Sequence, residues 1–404
     1  LSVRIAILNS DAARFLKWFY GTTPALKTAS YADQLEARAD SLVGMADFYS
    51  RNFRALGHEA REFFVNNPVL QSTWARESGL KIELSSSVDG ATSTEDRTAK
   101  LRRMLQPYRA WLAPMARRVG LRPKLEDAAR RILEAQIEDF APDVILVQNI
   151  VLVDPGLVRA LRRPGRVIAA QHGVAPPEGI DLTVYDFAVS MLPYVVEHFR
   201  AVGVPAEQVH LAFEPSILER MGAAPERDIP LTFVGGIEAQ YNDRIRLLEA
   251  ICERFPVKLY VSGASVLPAD SPIRSHLAGE VWGRDMYRVL QRSRLTLNSH
   301  IDAAREFAGN MRLFEATGAG AGLLTDAKSN LATLFEPGSE VAAYASAGEC
   351  LAAIDRLLKD EAHCAEMAAA GQRRTLQTHT YRQRAETLLG LVDRYGTRNK
   401  ALAS

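Results

Sequence analysis

The chain has 404 residues, 47% of them hydrophobic and 24% charged. That length exceeds what one core usually serves, so two domains of roughly 150–200 residues each are expected, with the composition of an ordinary globular protein. Its 49 basic and 48 acidic residues leave a formal net charge of +1, which excludes a global field for nucleic acid; no nucleic-acid partner is expected.

The first predicted element is a strand over 3–8, a compact β-branched and aliphatic run. Asn9, Ser10 and Asp11 follow as a polar turn or helix cap. A helix over 35–55 ends at Gly57, and a second strand covers 59–65. Residues 82–96 are small and polar and read as a loop. Helical pattern fills 100–140, interrupted at Pro107, Pro114 and Pro123. Short apolar runs at 143–147, 167–170 and 187–190 alternate with helical pattern, which implies right-handed βαβ units and a parallel sheet. The pattern breaks between Glu214 and Arg227, at Pro215, Gly222 and Pro225.

The second half restarts with a strand over 231–234, the turn Gly235-Gly236 and a helix over 243–255. A strand over 257–261, a helix over 284–293 and a strand over 295–298 follow. After these come a strand over 341–344 and helices over 347–358 and 381–395. The last of these places Ala385, Leu388, Leu389 and Val392 on one face. Both halves read as doubly wound α/β domains, whose ligands bind at the carboxyl ends of strands.

The most informative stretch is Gly309-Asn310-Met311-Arg312-Leu313-Phe314-Glu315, running on through Gly318, Gly320 and Gly322 to Asp326. It predicts a short helix bearing one carboxylate, then a glycine-rich turn and a buried strand. A helix start offers unpaired N–H groups to an anion, and a carboxylate about one turn on can bind two sugar hydroxyls. A nucleoside diphosphate suits such a unit. An ordinary αβ turn, whose glycines only permit close packing, suits it equally well, and these residues alone leave both readings open.

The ordered features of residues 231–395 resemble the C-terminal domain of GT-B glycosyltransferases. The similarity extends to the retaining group 1/4-like enzymes and the spore-maturation CgeB-like branch. Phe233-Val234-Gly235-Gly236 is similar to the strand and turn that open that domain, and Leu297-Asn298 to its next informative strand end. Asn310–Glu315 resembles the donor helix, Glu336-Pro337-Gly338 the following loop, and Thr380-Tyr381 onward the tail that crosses back to the first domain.

The resemblance implies two facing Rossmann-like domains. The acceptor-side domain would be 1–220, the nucleotide-sugar donor domain 221–378, and a helix over 379–404 would return to the first domain. It implies a metal-independent, retaining transfer of sugar from a UDP-, GDP- or TDP-sugar to a glycan, lipid-linked or protein hydroxyl. Glu315 would bind the ribose. Gly235, Gly236, Arg244, Asn298, Gly309, Asn310, Met311 and Arg312 would complete the nucleotide-sugar site, the backbone of 309–311 holding the diphosphate with help from Arg312 or Arg244, and His172 would face the transferred sugar. The chain departs from the family at two points. Phe307 stands eight residues before Glu315, where many retaining members have a second glutamate, with Glu306 one residue out. Gly236 and Tyr241 stand where Arg and Lys usually hold the diphosphate, Arg244 being the nearest cation. A nucleotide-sugar epimerase and a non-catalytic nucleotide-sugar-binding module remain as alternatives.

Asp11 follows the first strand and reads either as a general base for the acceptor hydroxyl or, preferentially, as a helix N-cap. His198 and His300 are expected at the surface or in packing. Trp18, Trp74 and Trp111 are expected in the core. Residues 97–131 carry eleven Lys or Arg against two acids, which reads as a solvated helical face or as peripheral contact with the inner membrane face. Three unclustered cysteines, Cys252, Cys350 and Cys364, argue against a disulfide framework or zinc site and for a reducing compartment. No metal constellation, Walker A run or full dinucleotide fingerprint is present, so neither ATP nor NAD is expected as a cofactor. No apolar run reaches the length of a membrane span and no signal-peptide pattern opens the chain, so a cytoplasmic protein is expected.

Overall fold

The computed structural model describes residues 2–82, 84, 125–238 and 241–402. Most of the loop expected over 82–96, the three prolines of the long helical region, Trp111 and most of the basic stretch 97–131 lie outside the described residues. The chain forms two compact units. The first comprises Leu1–Asp40, Tyr49–Gln208 and Leu389–Ser404, and the second Ser41–Phe48 and Val209–Leu388.

In the first unit six strands form one sheet: β1 (Arg4–Asn9), β2 (Glu59–Phe64), β3 (Val144–Val147), β4 (Val167–Gln171), β5 (Phe187–Ser190) and β6 (Ala206–Gln208). Their order is β2-β1-β3-β4-β5-β6 and every pair is parallel. In the second unit β7 (Ile229–Gly236), β8 (Val257–Ser262), β9 (Leu277–Gly279), β10 (Ser293–Asn298), β11 (Gly322–Asp326) and β12 (Ala342–Tyr344) form another parallel sheet, ordered β12-β11-β10-β7-β8-β9. Helices cover such sheets on both faces, so the strands become continuous aliphatic runs. The strands β3, β4 and β5 are buried at every residue. Chain order reverses between β1 and β3 and between β7 and β10, and ligands of these sheets bind in the crevice at such points. Each Leu or Ile buried in the second unit's core, such as Leu231, Leu248, Leu295 and Leu324, contributes about 1.5–3 kcal/mol.

The helix expected over 35–55 is two helices, Tyr31–Asp40 and Phe48–Ala55. Residues 41–47 leave the first unit between them, turning at Leu42, Gly44 and Ala46 with φ of 58°, 62° and 41°. Leu42, Ala46 and Phe48 are buried, and all three belong to the second unit. There the Ser41 carbonyl accepts from Arg284 N–H at 3.2 Å and lies 1.7 Å from where a Cβ on residue 283 would stand, so Gly283 is required.

Two three-residue edge strands, β6 and β9, and the helix Glu361–Thr378 went unanticipated. The strands are too short to print a pattern. The helix buries Cys364, Met367, Ala368, Gly371 and Thr375, a stripe at helical spacing made mostly of small residues. The last helix runs Tyr381–Leu402, with Ala385, Leu388 and Leu391 buried and Leu389 and Val392 half-buried. Its later part belongs to the first unit, where the Tyr395 ring stacks on Phe187 at 5.4 Å and its hydroxyl donates to Glu207 at 2.7 Å. Among the described residues no helix is long and apolar enough to cross a membrane.

Candidate functional site

Most of the residues expected at the donor site gather near the reversal point of the second sheet. Arg244 spans it, donating through Nη1 to Gly236 O at 2.9 Å and through Nη2 to Ser299 O at 2.6 Å. One guanidinium thus ties the end of β7 to the residue after β10. Its face lies 4.8 Å from the Tyr241 ring, and burial lowers its pKa from the ordinary value. Asn298, at the end of β10, exchanges amide hydrogen bonds with Asn310, Nδ2 to Oδ1 at 3.2 Å one way and 2.8 Å the other. Asn310 is the N-cap of the helix Met311–Gly318, accepting from Leu313 N–H at 3.2 Å. The cap leaves the Met311 and Arg312 amides, the first two of the helix, without an intrahelical partner. Gly235, beside Gly236 in β7, has no room for a side chain; a Cβ there would lie 2.9 Å from the Phe233 ring.

Arg312 turns back onto β7, donating from Nε to Val234 O at 3.2 Å, and its Nη1 pairs with Glu315 Oε2 at 2.9 Å. The Tyr287 hydroxyl lies 3.5 Å from Glu315 Oε1, a weak contact that leaves this oxygen acceptor capacity. Glu315 is buried at 6% exposure, held by a cation rather than set in hydrocarbon. The glycines after it serve packing: a Cβ at Gly318 would stand 2.2 Å from the Phe213 ring.

Beside this cluster a cavity of about 550 Å³ opens at the ends of β7, β10, β11 and β12. Of the residues expected at the donor site Arg244 alone lines it, with Tyr241, His300, Asp326, Lys328 and Tyr344; Asn298, the Asn310–Arg312 turn and Glu315 do not. His300 is neither a surface nor a simple packing residue. Its Nδ1 lies 2.7 Å from Asp326 Oδ1 and its Nε2 accepts from Gly309 N–H at 3.2 Å, so the proton is on Nδ1. Lys328 Nζ reaches Asp326 Oδ2 at 3.3 Å. Burial alone would raise the Asp326 carboxyl, but the His300 hydrogen bond and the Lys328 charge outweigh it and hold the pKa below the ordinary value. Sequence reading missed His300, Asp326 and Lys328 as a group; the available signal was a carboxylate closing a buried strand. Glu306, the off-register acid, is exposed, and its carbonyl accepts from Ser329 N–H at 2.8 Å.

His172 and Asp11 lie in the first unit. His172 follows β4. Burial lowers its pKa to about 4 although a hydrogen bond with the Ala175 backbone opposes this, so the ring is neutral at pH 7. Its Nε2 is buried with no partner among the described residues. Neighbouring amides form a chain, Gln148 Nε2 donating to Gln171 Oε1 at 3.1 Å and Gln171 Nε2 to the Tyr49 hydroxyl at 3.0 Å. Asp11 is not the helix cap: the helix Ala13–Thr22 is capped at Ala12 with no side-chain bond. Its Oδ1 instead accepts from Arg38 Nε at 2.9 Å and Nη2 at 2.7 Å, and both side chains are buried. The Arg38 guanidinium lies between the Phe15 and Phe64 rings, at 4.6 and 4.4 Å. His198 is exposed, while Trp18 and Trp74 are half-buried. Among the described residues no three His, Cys, Asp or Glu side chains gather as a metal site.

Solved glycosyltransferases share this two-sheet arrangement. One from Rickettsia africae is 8% identical with a TM-score of 0.57, over 98% of each chain. AviGT4, involved in avilamycin A biosynthesis, is 13% identical with a TM-score of 0.55, over 98% of each chain. Anabaena Alr3699/HepE, solved with UDP-glucose, is 11% identical with a TM-score of 0.52, over 96% of this chain and 99% of that one. At such identities the likeness is one of fold, and the fold is GT-B. No curated protein matches the chain significantly in sequence. Residues 244–390 match the family model described as Glycosyl transferase-like, so the second unit, from Arg244 into the last helix, carries a glycosyltransferase-like domain.

Proposed function

We propose that the chain transfers a sugar from a nucleoside diphosphate sugar to a hydroxyl of a glycan, lipid-linked or protein acceptor, without an essential metal and with retention, as a member of the CgeB-like branch of group 1/4. One observation carries the reading. Arg244, the Asn298–Asn310 pair and the Arg312–Glu315 pair meet at the reversal point of a parallel sheet, inside the segment that matches the family model. Glu315 Oε1 would accept from a ribose hydroxyl. The Met311 and Arg312 amides would face the diphosphate with help from the helix dipole, and Lys328 would add positive charge. Negative charge grows on the leaving diphosphate in the transition state, and preorganised donors stabilise it without reorganising. The HepE complex with UDP-glucose makes UDP the first nucleotide to test. His172, a neutral imidazole with an available Nε2, would contact the transferred sugar.

The test is incubation with UDP-, GDP- and TDP-sugars and candidate acceptors, with and without chelator. Transfer with retained anomeric configuration, unaffected by chelator, supports the reading. Accumulation of a 2-epimer would identify an epimerase, and nucleotide binding without turnover a binding module. Absence of binding by any of the three nucleotides sinks it.

A further inference from the structure

The segment between β10 and the Met311–Gly318 helix is tied down by side chains from beyond β11. Asn330 Oδ1 accepts from Ala308 N–H at 2.6 Å and its Nδ2 donates to Ala308 O at 3.0 Å. Lys328 Nζ donates to Arg305 O at 2.7 Å. At the last residue before the cap, Gly309 takes a φ of 153°, open in practice only to glycine, and its single donor points at His300 Nε2. His300 is itself held twice by Asp326 Oδ1, through Nδ1 and through its backbone N–H at 3.1 Å. A chain of contacts therefore runs from the end of β11 through an imidazole to the amide just before the capped start of the helix. A buried N–H left without its acceptor would seek another, and the permissive glycine backbone would let it turn.

We propose that His300, oriented by Asp326, is a positioning residue that holds the Gly309 amide and so fixes how the following turn presents its N–H groups to the donor's diphosphate. The second clause rests on the nucleotide-sugar reading above; the first does not. Three substitutions separate position from bulk. His300→Gln can place a carbonyl oxygen near the old Nε2 and keep the Gly309 bond. His300→Asn can place its amide nitrogen near the old Nδ1 and keep Asp326 while losing Gly309. His300→Ala loses both.

Amide hydrogen exchange over residues 306–313 of the full chain, without nucleotide, is read first. Exchange about tenfold faster in the Asn and Ala variants but not in the Gln variant is expected for one net hydrogen bond lost. Equal exchange in Asn and Gln, or none of the variants differing from the unaltered chain, overturns the proposal whether or not nucleotide binds. Calorimetry with whichever of UDP, GDP or TDP binds the unaltered chain comes second. Affinity should fall about tenfold in Asn and Ala and within threefold in Gln. Unchanged affinity despite faster exchange overturns the diphosphate clause. If the unaltered chain binds none of the three, the donor reading has failed and the diphosphate clause with it, while the exchange result still decides the hold on Gly309. Affinity that follows the variants' melting temperatures rather than their acceptor position would show a merely structural residue.

Discussion

The carboxyl edges of the two sheets share an architecture and differ in chemistry. At the first, the polar groups are neutral: the Gln148–Gln171 chain, a His172 that stays unprotonated at pH 7, and Asn149 donating to Ser10 Oγ at 2.9 Å. Its ionic groups turn inward, Asp11 onto Arg38 between two rings and Glu62 onto Asn9. At the second, Arg244 and Asp326 with Lys328 bring charge to the lining of the cavity, while Arg312 with Glu315 lies buried beside it. A parallel sheet supplies the crevice, and the residues after each strand decide what enters it. A neutral rim suits hydroxyls, and a cation-bearing rim with free helix amides suits an anion.

Four substitutions can break or sharpen this contrast. Arg38→Ala would strand the buried Asp11 carboxylate and lower unfolding stability by about 3–5 kcal/mol in urea titration. Undiminished stability with lost transfer would move Asp11 from frame to chemistry and break the comparison. Glu315→Ala should act on the ligand instead, weakening nucleotide binding at least tenfold for the loss of about 1.5–3 kcal/mol. Unchanged affinity in calorimetry removes this carboxylate from the site.

Third, His379 tests a buried neutral imidazole away from either rim. Burial lowers its pKa to about 4, its bond with Leu334 O opposing and Arg384 adding to the shift. The unfolded ring protonates near its ordinary value of 6.5, so between about 6.5 and 4 the unfolded state binds more protons. Stability is then full above pH 6.5 and falls toward pH 4, by up to about 1.4 kcal/mol per pH unit from this ring. His379→Gln should flatten that dependence; an unchanged slope in melts at pH 7 and 4.5 would deny His379 a share. Fourth, Arg246 pairs with Asp243 on the surface. Arg246→Ala should leave the melting temperature unchanged within error, since exposed pairs contribute little. A clear drop would mean that display of charge at this edge also supports the fold.

Much of this was legible in the chain. Strands buried on both faces become uninterrupted aliphatic runs, so Val144–Val147 and Phe187–Ser190 declare themselves. The helix at Met311–Gly318 is marked by its Asn310 cap and single acid. Contacts between strand ends are another matter. His300 meets Asp326 across 26 positions and Arg38 meets Asp11 across 27, so no local pattern carries either pair. The sequence assigned Asp11 to the nearest helix because capping is the local use of such a residue; a guanidinium buried between two rings offered it a stronger one. The glycine-rich turn was ambiguous for a related reason, since Gly318 answers to Phe213, which is remote in sequence and close in space.

The excursion at Ser41–Phe48 also governs how the protein can be divided. The chain changes units after Asp40, Phe48, Gln208 and Leu388, so no single cut releases either half whole. A fragment beginning at Val209 would lack the carbonyl that Gly283 makes room for, and would leave an unfilled notch at the start of the helix Gly283–Arg292, where the natural protein has backbone.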